Sequence, residues 1–161
     1  MKNSSKLPIP DDYRQANYLF DDCRRRVENL LQVFKSAAQW KQVEQEEKDP
    51  VWWPELINII QEAAAPLVGL ARTWQAETVA AVSAAEDQKK IADGHEALVR
   101  AASNLLDSLP FFEEAALWET EQNDAGTDWP AGFRILLDMT ERIEQASNDV
   151  WSLTVEHIKP G

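Results

Sequence analysis

Residues 16–37 read ANYLFDDCRRRVENLLQVFKSA. Apolar or small side chains fall at Ala16, Phe20, Cys23, Val27, Leu30, Phe34 and Ala37, in steps that alternate four and three. A period of 3.5 is one stripe of an α-helix, and a stripe this long has to be covered by other helices. Pro8-Ile9-Pro10 cannot continue a helix, and Asp11 or Asp12 suits the cap behind it. The helix is predicted to run to about Glu47 and to stop before Asp49-Pro50. At 1.5 Å per residue that is roughly 50 Å.

Downstream the same grammar repeats. Trp53-Pro54-Glu55 is a second start signal, with Pro at the first helical position and an acid at the positive helix end. Leu56, Ile60, Ala63, Leu67, Leu70, Trp74 and Ala81 continue the spacing. Pro66 lies inside this pattern and should kink it. A break is expected near Glu86–Lys90 or at Asp93-Gly94, where Gly supplies a left-handed cap. A third helix carries Leu98, Ala102, Leu105 and Leu109, is interrupted or kinked at Pro110, and resumes over Phe111–Gln122. Asn123-Asp124-Ala125-Gly126-Thr127 is the clearest loop. Asp128-Trp129-Pro130 caps a fourth helix that is expected to run through Ile158.

The two halves share an ordered set of residues. Arg25-x-x-x-Asn29-Leu30-Leu31 recurs as Arg100-x-x-x-Asn104-Leu105-Leu106, an offset of 75 (25 to 100). Ala37-Ala38-x-Trp40 recurs as Ala115-Ala116-x-Trp118, an offset of 78 (40 to 118). Trp53-Pro54 recurs as Trp129-Pro130, with Ile59 and Ile135 in the same register of 76 (53 to 129), and Trp74 and Trp151 follow at 77 (74 to 151). The jump from 75 to 78 falls at Pro110, where a small insertion is expected. The prediction is an all-α antiparallel four-helix bundle, built from two tandem copies of a long helical hairpin. Residues 1–10 form a flexible N-terminal segment and 11–161 one domain, with repeats of about 11–87 and 88–161. Both hairpin tips then fall at one end, gathering Trp40, Trp52, Trp53, Trp118 and Trp129.

Bulk properties agree. The 161 residues suit one domain with a real core. A hydrophobic share of 44% against 27% charged excludes a disordered chain. No Gly precedes Gly69, which leaves a β-rich fold without its tight turns. Lys2 and Lys6 are followed by no apolar stretch, so no secretory signal is expected, and no apolar run reaches the roughly 18 residues of a membrane span. The single cysteine, Cys23, fits a reducing cytoplasm. The net charge of −12 is uneven: residues 1–93 hold 12 Lys/Arg against 15 Asp/Glu, and residues 94–161 hold 4 against 13. Such a chain repels nucleic acid and anionic membrane and favours a basic partner.

Catalytic constellations are sparse. A di-iron bundle needs Glu-x-x-His pairs, but Ala92 precedes His95 and Thr154 precedes His157 at that spacing, so no metal ligand is expected. Glu44-x-x-Glu47 and Glu141-x-x-Glu144 each put two acids on one helix face, the pairing with which helical nucleotide hydrolases hold Mg²⁺. That makes a Mg²⁺-dependent hydrolase the rival from the enzyme class. Cys23 lies on the apolar seam, where a thiol is structural rather than activated. Arg24-Arg25-Arg26 spreads around the helix among Asp21, Asp22 and Glu28, which marks a salt-bridged surface. No Gly-rich phosphate loop and no nucleophile elbow is present.

The tryptophans and acids remain. Between Arg100 and Arg134 the chain has Asp107, Glu113, Glu114, Glu119, Glu121, Asp124 and Asp128 and no base. Trp53 and Trp129 have a structural role open to them, as staples at helix starts. As exposed rings they would be protein-binding hot spots, and acids around them suit a basic partner. The expected function is therefore a non-catalytic, acidic, cofactor-free binding module that blocks a basic site on another protein. An immunity protein and a phage-type inhibitor of a nucleic-acid-handling system, including a DNA mimic, both fit. The predicted contact residues are Trp52, Trp53, Trp118, Trp129, Glu113, Glu114, Glu119, Glu121, Asp124 and Asp128. A homodimeric or scaffold role, using the 3.5-period seams, is the third reading.

Overall fold

Helix α1 (Asp11–Glu44) begins directly behind Pro10. Asp11 and Asp12 occupy its first turn, and the Arg14 amide closes that turn on the Pro10 carbonyl at 3.2 Å. In the computed structural model the described residues are 7–44, 53–82, 88–122, 128–156 and 158–159. Trp52, Glu47 and Asp124, and the side chain of Glu44, lie outside them.

Helices α2 (Trp53–Ala64) and α3 (Leu67–Ala81) are separated at Pro66, the expected kink. The Leu70 amide bonds to the Pro66 carbonyl at 2.9 Å, so helical bonding resumes at once. Helix α4 (Gln88–Gln122) starts ahead of Asp93-Gly94 and passes through it. A side chain built at Gly94 would touch Val150 and Leu153 on the last helix at 3.5 and 3.6 Å. Gly94 is therefore a residue of the helix interior beside α5 and no cap. α4 also runs unbroken through Pro110. That proline is exposed, on the side where water can serve a carbonyl it leaves unpaired.

Helix α5 (Trp129–Val155) has Asp128 as its N-cap, whose carboxylate accepts from the Ala131 amide at 3.2 Å, with Pro130 in the first turn. It ends before Ile158, shorter than its periodicity predicts. Ile158–Lys159 (β2) instead pairs in parallel with Leu7–Pro8 (β1), Leu7 opposite Ile158. This two-residue ladder joins the segments that flank the helical bundle.

The helices bury their stripes on one another. α1 packs on α2, α3 and α5, and α4 packs on the same three. Phe20, Val27, Leu31, Ile57, Ile60, Leu67, Trp74, Leu98, Leu105, Leu109, Phe133, Leu136 and Ile143 fill the space between them. Each such side chain contributes about 1.5–3 kcal/mol by leaving water. Gly132 lets α5 approach α4: a Cβ there would stand 2.9 Å from the Phe112 ring.

Two aromatic groups lie among the helices. At the starts of α2 and α5 Trp53 and Trp129 stack with centroids 5.1 Å apart, and both lean on Phe133. Near the start of α1 Tyr13 stacks on Trp151 at 5.7 Å and leans on Trp74, which meets the edge of His95 at 5.2 Å. This second group carries buried polar atoms. The Thr78 hydroxyl donates to the Trp74 carbonyl at 2.8 Å. Its oxygen is then left to accept from His95 Nε2–H at 2.7 Å, which puts the imidazole proton on Nε2. His95 Nδ1 is buried without a hydrogen-bond partner. Burial pushes the His95 pKa down to about 4, so the ring is neutral.

Candidate functional site

The core stripe of α4 runs through Leu98, Ala102, Leu105, Leu109 and Ala116. At 100° per residue, Asp107, Phe111, Glu114, Trp118 and Glu121 fall on the opposite side, centred on the outward direction. The structure exposes them all. Phe111 is 72% exposed and Trp118 53%. Leu117, also exposed, widens the apolar patch beside Trp118. Phe111 and Trp118 are seven residues apart, so they stand two turns apart on one face, about 10 Å along the axis. An acid precedes, separates and follows them, and no Lys or Arg of α4 follows Arg100.

Isolated exposed apolar residues need no explanation, but grouped aromatics rimmed by charge do. Two rings two turns apart on one face of a helix lose little conformational entropy on binding. Five acids on the last half of α4 (Asp107, Glu113, Glu114, Glu119, Glu121) project a negative field that hastens encounter with a basic surface.

The predicted contact residues divide into three groups. Trp118, Glu114 and Glu121 stand exposed on this face. Trp53 and Trp129 do not stand on the surface: they are buried and stacked on each other. The reason is local. Each is the first residue of its helix, and burial there staples the chain entering the bundle. Glu119 is drawn in with them, its carboxylate accepting from Trp129 Nε1–H at 2.8 Å. Asp128 serves the cap of α5, and Glu113 is half-buried. Trp52 and Asp124 lie outside the described residues.

Phe111 is the residue that sequence reasoning missed, read only as the point where a helix resumes after Pro110. Its signal was present: Asp107, Phe111, Glu114, Trp118 and Glu121 keep steps of four and three that are out of phase with the core stripe. A second exposed pair, Val33 at 62% and Trp40 at 67%, occupies the outward face of α1. Its neighbours there are Asn29 and Ser36, which carry no charge.

Several other ionisable groups are engaged structurally. Arg24, nearly buried, bridges Asp21 at 3.1 Å, Glu28 at 2.8 Å and, across to α5, Glu144 at 2.9 Å. Arg25 and Arg26 pair with Asp21 and Asp22, as the salt-bridged reading of the triple arginine expects. Glu144 is therefore committed to Arg24, and among the described residues no three His, Cys, Asp or Glu side chains converge on a point where a metal could sit. Cys23 lies against the Ala63 carbonyl at 3.4 Å, and burial pushes its thiol pKa up. No described helix is long and apolar enough to cross a membrane. No protein-family model, curated protein or solved structure matches the chain.

Proposed function

We propose that the protein is a non-catalytic binding module that occupies a basic site on a partner protein through the outward face of α4. The observation that carries this reading is the alternation Asp107, Phe111, Glu114, Trp118, Glu121, with both rings exposed on a rigid helix. The rings supply the desolvated contact that holds a complex, and the acids choose its partner and speed its encounter. The partner class is a protein with a basic surface. A toxin neutralised by an immunity protein belongs to it, as does a nucleic-acid-handling enzyme blocked by an inhibitor. Pure phosphate mimicry is supported less well, because a phosphate row has no counterpart to two protruding rings.

We also infer that the bundle is antiparallel and arose by duplication of one hairpin. Burial supports a single offset of 78 between α1 and α4. Phe20/Leu98, Val27/Leu105, Leu31/Leu109 and Ala38/Ala116 are buried pairs, while Val33/Phe111 and Trp40/Trp118 are exposed pairs. An offset of 76 relates α2–α3 to α5: Trp53/Trp129, Ile57/Phe133, Ile60/Leu136, Leu67/Ile143 and Thr78/Thr154 are buried, and Ile59/Ile135 exposed. Thr78 and Thr154 each donate to the carbonyl four residues earlier, at 2.8 and 2.7 Å. The Asn-Leu-Leu match at 75 drops out of this register, since Leu30 is half-buried where Leu105 is buried. No insertion at Pro110 is then required.

The test is capture from the native host's lysate at low and high salt. The baits are wild type, Phe111→Ala/Trp118→Ala, and Glu114→Lys/Glu121→Lys. A stoichiometric partner with a basic surface, retained by wild type and lost by both variants, is the expected result. A partner retained equally by all three baits would refute the assignment of the face.

A further inference from the structure

Two hollows open along α4. One, of about 290 Å³, lies between α4 and α5, framed by Asn104, Asp107, Ser108 and Phe111, with Ala101 beside them and Met139 and Arg142 of α5 on its far wall. The other, of about 450 Å³, is framed by Phe111, Glu114, Ala115 and Trp118. Each set has the spacing i, i+3, i+4, i+7. The two sets are seven residues apart and share Phe111. In coiled-coil packing this diamond of four residues is the hole that receives one side-chain knob from a neighbouring helix. Ser108 and Ala115 are the small members of each diamond, which is why hollows exist there at all. Bulkier residues at those positions would fill them.

From this geometry we propose that the element of the partner seated on α4 is a basic amphipathic helix, lying alongside α4 with apolar knobs seven residues apart. The proposal rests on the reading of this face as a docking surface and adds the form of what docks. Lys or Arg residues flanking the knobs face Asp107, Glu114 and Glu121. The preference for positive charge is strongest at the second hole, because Arg142 lines the first. A second copy of the chain seated by its own α4 would bring two identical acidic rows together, which opposes self-pairing through this face.

The test uses the full chain and three synthetic peptides of about three heptads. The first is helical, with Leu knobs seven apart and Lys/Arg flanks. The second has the same composition, broken by two central prolines. The third is helical with Glu in place of Lys/Arg. Binding is read by fluorescence anisotropy of labelled peptide against wild type, Phe111→Ala/Trp118→Ala and Glu114→Lys/Glu121→Lys. Circular dichroism verifies that the variants keep their fold, and sedimentation velocity reports self-association. The basic helical peptide is expected to bind wild type about tenfold or more tighter than either other peptide, and each variant to lose about tenfold or more. Equal binding of the proline-broken peptide would overturn the helix inference while leaving the basic-partner reading intact. Binding of none of the peptides, or binding indifferent to the substitutions, would overturn it too. A dimer of wild type that Phe111→Ala/Trp118→Ala abolishes would make the occupant a second copy. Failure of the lysate capture alone would refute the functional reading without touching the peptide result.

Discussion

Between pH 6.5 and 5, acid should loosen this protein mainly through His95. Its ring is wedged between α3 and α4, with Nε2 on the Thr78 hydroxyl at 2.7 Å and a buried Nδ1 without a partner. Protonation would place a charge there with no acceptor for the new N–H. The folded-state pKa is accordingly lowered from 6.5 to about 4, by burial first, with the nearby Glu96 opposing. Between those two values the unfolded chain binds the proton and the folded chain does not, so stability falls as pH drops through that window. At 1.4 kcal/mol per pKa unit, the loss from this site is about 2 kcal/mol at pH 5 and about 3 kcal/mol at pH 4. His95→Gln keeps a polar side chain of similar length and cannot titrate. Urea unfolding of both proteins at pH 7.5 and 5.0 isolates the site, because the carboxylates contribute equally to each. Wild type is expected to lose about 2 kcal/mol more than His95→Gln over that interval. Parallel losses would refute the reasoning, and so would an imidazole titrating near 6.5 by NMR in the folded protein.

Trp129→Ala should cost about 3–5 kcal/mol of stability, as a buried ring, and Trp129→Phe about 1 kcal/mol for the lost bond to Glu119; equal midpoints in urea for all three proteins would contradict the burial. Phe111→Ala and Trp118→Ala should each change stability by less than about 0.5 kcal/mol, and a melting shift of several degrees would show that these rings are packed. Arg24→Ala leaves Asp21, Glu28 and Glu144 without their shared cation and should cost about 2 kcal/mol, below the value for fully buried pairs because the carboxylates are partly solvated; an unchanged urea midpoint would show the α1–α5 bridge to be idle. Cys23 should react with a thiol reagent only as fast as the chain opens, since its thiol is buried with its pKa raised; labelling at the rate of a free thiol would refute this.

The helices were legible because their punctuation is strong. Pro10, Trp53-Pro54 and Asp128-Trp129-Pro130 place three starts at or within two residues of where they occur, and the 3.5-period stripes name most of the core. Of the two break points offered ahead of α4, Glu86–Lys90 holds the start of the helix at Gln88, while Asp93-Gly94 lies inside it, as does Pro110 without interrupting it. A breaker residue reports local preference, which the rest of the helix can override. The site was half legible. Charge drew attention to residues 107–128, and Trp118 followed. Trp53 and Trp129 look like Trp118 in the sequence, because nothing local separates a ring that staples a helix start from one that faces water. Their difference is a matter of phase against the core stripe, and that phase is fixed only once α2, α4 and α5 are in place.

The proposed duplication turns that phase into an experiment. In the register of 78, Asn29, Val33, Ser36 and Trp40 of α1 stand where Asp107, Phe111, Glu114 and Trp118 stand on α4. Over these four positions the two faces share a direction of exposure and a tryptophan, and differ in two acids and one ring; the fifth position of the alternation, Glu121, has Val43 as its counterpart. If those acids and the second ring make the α4 face a docking site, moving them should move the activity. Asn29→Asp/Val33→Phe/Ser36→Glu converts three exposed positions of α1, so stability should change by no more than about 1 kcal/mol. The converted chain should bind two basic helical peptides where wild type binds one, as counted by calorimetry. The second should bind more weakly, since Lys35 of α1 stands where Glu113 stands on α4 and Leu30 takes the place of Ser108, which leaves one hole where α4 has two. A stoichiometry that stays at one in a folded variant would mean that Asp107, Phe111, Glu114 and Trp118 do not suffice for binding without the second hole and Glu121.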